Sequence, residues 1–144
     1  MNAEYLTSHK IYAWLSGAWV DLSPDVMFKN GISGDWGING YKVTDILADT
    51  GTLKFTLYNQ TGKYYPDGTA PLAGWGRFVP IRFEVVYSQK TYNFRFYVDK
   101  IDLSVGKVPE QSRVNVSCVD WMDFANKRPI IAPDILESVT ADAV

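Results

Sequence analysis

Reactive side chains are scarce in this chain. Among 144 residues there is one cysteine, Cys118, and one histidine, His9. A lone cysteine excludes an intrachain disulfide, and the pair leaves no His/Cys cluster of the kind that binds zinc. A nucleophilic serine needs a base, normally histidine. His9 stands ahead of the first expected strand with no nucleophile motif beside it, and reads as a solvent-exposed side chain. Positive charge is also lacking. Fourteen Lys and Arg face 16 Asp and Glu, a net charge of -2, whereas binding to a phosphate backbone needs a basic excess. No apolar run is long enough to cross a bilayer. Met1–Tyr5 has neither the basic stretch nor the apolar core of a secretory signal. The expectation is a chain that is not an enzyme, with no metal, cofactor, nucleic-acid or membrane site.

The carboxylates do little to change this. Asp45 with Asp49, Asp99 with Asp102, and Asp120 with Asp123 are spaced for acid–base pairs. All fall at expected turns or strand ends, where Asp caps backbone N–H groups or stays solvated. Asp67-Gly68 with Asn59 lacks the ligand spacing of a calcium loop and reads as a turn. The glycines between Gly31 and Gly40 lack the Lys-Ser/Thr of a phosphate loop.

What is present is globular and aromatic. Hydrophobic residues make up 47% and charged residues 21%, enough for one domain with its own core. Aromatics reach 15%, with five Trp and nine Tyr, which suits pleated strands. The dominant period is two. Leu53, Phe55 and Leu57 alternate with Thr52, Lys54, Thr56 and Tyr58. Ile81, Phe83, Val85 and Tyr87 are followed by Ser88-Gln89-Lys90, and then by Tyr92, Phe94, Phe96 and Val98, which predicts one long hairpin. The phase slips at Asp99-Lys100 before Ile101, Leu103 and Val105, which predicts a β-bulge. Further strands are expected through Val114, Val116 and Cys118, and on both sides of Ser16-Gly17.

Gly31–Gly40 around Trp36 is expected to be an irregular excursion. Asn59–Trp75 is the longest stretch without alternation, and loops of that length often carry function. Asp120 is expected to cap a short helix. The predicted fold is all-β: a small antiparallel β-barrel or sandwich with long loops and one or two short helices. Residues 1–126 form the domain. Residues 127–144 form an extended segment, and Thr140–Val144 resembles the start of a helix leading into a further region.

The most informative segment is Asp45–Asn59. It holds Ala48, Asp49, Gly51, Leu53, Phe55, Leu57 and Asn59, and continues through Gly62 to Tyr64-Tyr65-Pro66. Asp49 and Gly51 suit a turn with φ > 0 at the glycine. The run is similar to Ala-Asp-x-Gly-x-Leu-x-Phe-x-Leu-x-Asn followed by a Gly-x-Tyr-x-Pro loop, a pattern of bacteriophage tail proteins of the hub or baseplate type, in their N-terminal domain. Trp19-Val20-Asp21-Leu22-Ser23 with Asp25-Val26 resembles an earlier element of that group. Phe94–Ile101 resembles a later strand but lacks its glycine. Val116–Asp120 resembles a strand that ends in Asp before a helical turn, with Phe124 in place of a leucine. The resemblance spans residues 11–126.

It implies a structural β domain in the virion tail, made in the bacterial host cytoplasm and without cofactor. It also implies contacts with other phage tail proteins in a ring-like homo-oligomer, with a trimer favoured and a hexamer possible. The expected contact residues are Tyr64, Tyr65, Pro66 and Trp75 of the long loop, with Trp36. The same rings would equally serve to cover a barrel end. The alternative is a carbohydrate-binding β-sandwich that stacks Trp36, Tyr41, Tyr64, Tyr65 and Trp75 on sugars. That needs several coplanar exposed rings.

Overall fold

The computed structural model describes residues 6–37, 49–68, 70–87, 89–106 and 112–127. Tyr41, Asp45, Ala48 and the expected segment after residue 127 lie outside them. The chain opens with a hairpin of β1 (Leu6–Leu15) and β2 (Ala18–Asp21). It turns on Ser16 and Gly17, both at positive φ (50° and 87°), the two-residue turn whose twist matches the flanking strands. After 3-10 turns at Ser23–Asp25 and Phe28–Asn30 come β3 (Ser33–Gly37) and β4 (Asp49–Tyr58). The long hairpin follows as β5 (Pro80–Tyr87) and β6 (Lys90–Ser104). Then come β7 (Arg113–Val119) and a single short helix, α1 (Trp121–Lys127).

All seven strands join one antiparallel sheet in the order β2-β1-β5-β6-β7-β4-β3. Register follows the apolar alternation. Leu53, Phe55 and Leu57 stand opposite Cys118, Val116 and Val114, and Ile81 and Phe83 stand opposite Phe96 and Phe94. A slip of one residue would turn these side chains to the other face, so the buried face fixes the register. The phase slip is a bulge. Val98 faces Cys118 and Lys100 faces Ser117, which leaves Asp99 unpaired between them.

The all-β expectation holds, with a correction on closure: the ladder is not a closed barrel. The free edge of β1 is taken by β2, and the outer edge of β4 by β3. The gap is spanned by Leu22–Met27. Leu22 N–H donates to the Ile11 carbonyl, Met27 N–H donates to the Thr56 carbonyl, and Val26 bridges Leu57. This segment contains Pro24, which has no N–H, inside a 3-10 turn, so it straps the sheet rather than adding a strand. The core lies within this curl and includes Ile11, Ala13, Leu15, Leu22, Val26, Leu53, Leu57, Ile81, Phe96, Val98, Val114 and Cys118.

Two local expectations also change. The glycine-rich stretch around Trp36 forms β3, because Gly34 leaves room for the Trp36 ring at the edge of β4. His9 lies within β1, half-buried, with Phe28 edge-on at 4.5 Å.

Candidate functional site

The long loop divides into a buried half and an exposed half. Asn59 is buried at the end of β4, and its side-chain oxygen accepts the Tyr64 N–H at 2.9 Å. Gly62, at φ 74°, turns the chain back. Tyr64 then enters the core at 2% exposure and Trp75 at 5%, with ring centroids 5.6 Å apart. Trp75 Nε1–H donates to the Tyr64 carbonyl at 2.8 Å. The Tyr64 hydroxyl donates to Asp25 Oδ2 at 2.5 Å, and Lys63 Nζ donates to the same oxygen at 2.7 Å. Tyr64 and Trp75 are therefore internal plugs, which corrects the expectation that they contact a partner: burying two rings against the core removes more apolar surface than leaving them out in a loop. Tyr65 and Pro66 stay at the surface. With Asp67 they line an open groove of about 560 Å³ alongside Arg77, Asp99, Lys100 and Ile101.

The cluster around Asp25 has a defined charge state. Burial alone would raise the Asp25 pKa. Hydrogen bonds from Lys63 and Tyr64, together with the Lys63 charge, outweigh it and hold the carboxyl below its ordinary range. Burial and the Asp25 anion push the Tyr64 phenol up. The pair is thus ionised carboxylate and neutral phenol.

The described members of the spaced carboxylate pairs at 99, 102, 120 and 123 are occupied locally. Asp99 pairs with Arg77, Asp102 with Lys100 and Asp123 with Lys127. Asp120 Oδ1 accepts the Met122 N–H, which caps α1 as expected. Its other oxygen accepts the Gly51 N–H at 2.8 Å. Gly51 is extended within β4 rather than at positive φ, so its expected turn role is corrected. A side chain is excluded there because a Cβ would stand 2.8 Å from that carboxylate oxygen. Leu53, Phe55 and Leu57 are core residues. Among the described residues no group of three or more His, Cys, Asp or Glu side chains is placed to hold a metal ion.

Trp36 is 46% exposed but lies over Phe94 at 4.4 Å, and Phe94 continues to Phe83. It packs across the mouth of the curl. Unlike Tyr64, it keeps a solvent face.

A group of rings, Trp14 exposed and Tyr12, Trp19 and Tyr97 half-buried, lies on the outer face of the sheet, where no site residue was expected. Trp14 stands opposite Trp19, Tyr12 is opposite both Asp21 and Arg82, Arg82 is opposite Arg95, and Pro80 is opposite Tyr97. The Arg82 guanidinium lies over Tyr12 at 4.4 Å and Trp19 at 4.9 Å. Trp14, Trp19, Pro80, Arg95 and Tyr97 line a groove of about 300 Å³. Phe124 of α1 extends the stripe, edge-on to Tyr97 at 5.3 Å. The available signal was phase: Tyr12, Trp14, Arg82 and Arg95 all occupy the outward positions of alternating strands.

No family model, curated protein or solved structure matches this chain.

Proposed function

We propose that this chain is a structural, protein-binding β domain of the bacteriophage tail-hub type, acting by contacts with other tail proteins in a ring-like virion assembly. The observation that carries the reading is the Gly51–Asp120 joint. Two elements of the tail-protein pattern, the Asp-x-Gly opening of β4 and the Asp that ends β7, are 69 residues apart in sequence and hydrogen-bond to each other. Two parts of that sequence pattern thus meet at one joint of the sheet.

The outer face adds support of a general kind. Trp, Tyr and Arg are the residue types that anchor protein interfaces, and Trp14, Trp19, Tyr97, Arg82 and Arg95 are gathered there. The carbohydrate alternative lacks a flat platform in this region, since Trp14 and Trp19 are inclined at 67°. Light scattering over a concentration series tests the proposal. A trimer or hexamer is the expected result. A monomer that binds a member of a glycan panel would replace this reading with the carbohydrate one.

A further inference from the structure

We infer that the outer face of β2, β1, β5 and β6 is a docking surface for an acidic protein segment, whose carboxylate is gripped by Arg82 and Arg95 while an apolar side chain enters the Trp14–Trp19–Tyr97 groove. The inference rests on the protein-binding reading above and supplies the partner's chemistry.

The charge arrangement carries it. Arg82 and Arg95 stand directly opposite each other on neighbouring strands, a like-charge placement that destabilises a sheet. Among the described residues neither forms an ion pair. The carboxylates nearest in register form no ion pair with either arginine. Asp21 accepts the Ser23 N–H, and Glu84 stands between Lys10 and Asn93. The Nε of Arg82 is buried with no acceptor, so the rings of Tyr12 and Trp19, rather than hydrogen bonds, hold the guanidinium in place. A chain of net charge -2 thus keeps two arginines side by side, Arg82 half-buried on two aromatic rings and Arg95 exposed beside it.

A guanidinium fork matches a carboxylate, and its attraction is strengthened where rings exclude water. Beside the pair, the groove of about 300 Å³ is lined by Trp14, Trp19, Pro80 and Tyr97, with room for one apolar side chain. Charge and groove together describe a partner that presents Asp or Glu next to a hydrophobic residue.

The test is an NMR titration of the whole chain with a synthetic peptide of repeated Glu-Gly-Leu triplets, following the indole N–H signals of Trp14 and Trp19. Saturable shifts confined to these two indoles and their neighbours are expected. They should weaken about tenfold in Arg95→Glu, an exposed site whose reversal leaves the fold intact, and should vanish when Lys replaces Glu in the peptide. Unmoved Trp14 and Trp19 signals, or equal shifts in Arg95→Glu, would overturn the inference. So would equal shifts from inorganic phosphate alone, which would make this a simple anion site. Shifts on dilution of the protein without peptide would assign the face to a second copy and overturn it too. An oligomer whose indoles ignore the peptide removes this inference and leaves the tail reading. A monomer that binds the peptide does the reverse.

Discussion

One oxygen of Asp120 accepts the Gly51 N–H at 2.8 Å while the other caps α1 through Met122. The carboxylate is pinned from two sides, so it cannot swing away from a Cβ placed at residue 51. Gly51→Ala should therefore cost about 1–2 kcal/mol, through a lost charged hydrogen bond and a disturbed cap. Asp120→Ala should cost a similar amount. The double variant should lose clearly less than the sum, because both changes break one interaction. Urea unfolding of the three variants checks this, and additive losses would show that the two sites act separately.

Tyr64 and Asp25 predict a stability profile with two edges. The Asp25 pKa is depressed in the folded chain, so its contribution is complete above the ordinary value of 3.8 and is lost as pH falls through the lower folded value. The Tyr64 pKa is raised, so the neutral phenol contributes fully below 10.0 and its contribution is lost as pH rises towards the higher folded value. Tyr64→Phe should cost about 1–2 kcal/mol at neutral pH. The gap between wild type and variant should narrow above pH 10.0. Denaturant midpoints at acid, neutral and alkaline pH measure the difference. A gap that stays constant into alkali would contradict the neutral-phenol assignment.

Trp75 and Tyr65 lie in one loop but should respond in opposite ways. Trp75→Ala opens a cavity in the core and orphans the Tyr64 carbonyl, at a cost of about 3–5 kcal/mol. Tyr65→Ser, half-buried beside the surface groove, should cost about 1 kcal/mol at most. If Tyr65 touches a neighbouring subunit, its replacement changes the mass in solution and moves the thermal midpoint little. A Trp75→Ala protein of unchanged stability would refute the plug.

The fold was legible where polarity alternates. Strands β4 to β7, the turn at Ser16-Gly17, the bulge at Asp99 and the Asp120 cap all follow from residue type and spacing. Closure was not legible, because it depends on hydrogen bonds from Leu22 to Ile11 and from Met27 to Thr56 that leave no period behind. Composition misplaced the loop rings. Tyr64 and Trp75 look like contact residues in a Gly/Pro-rich stretch, yet Asn59, five residues before Tyr64, and Asp25, 39 residues before it, draw Tyr64 inward. The outer Trp14–Arg95 surface was hidden for a different reason. Its members sit on four strands, and only register brings them together.

Cys118 is buried in β7, and burial, with the Asp99 charge nearby, pushes its thiol up. Thiolate is the reactive form, so the folded chain should resist a thiol reagent and react fully once unfolded in denaturant. The modification rate under native conditions then reports how often β7 opens. Rapid labelling of the folded chain would contradict the burial.

The Leu22–Met27 strap has a mechanical meaning. Because it grips β1 at one end and β4 at the other, a load pulling β1 and β4 apart runs along two routes in parallel: across the ladder through β5, β6 and β7, and directly through two backbone hydrogen bonds and the Val26–Leu57 bridge. Either route limits how far the other can stretch. The open sheet should therefore resist spreading at this gap, where the strap shares the load with the ladder.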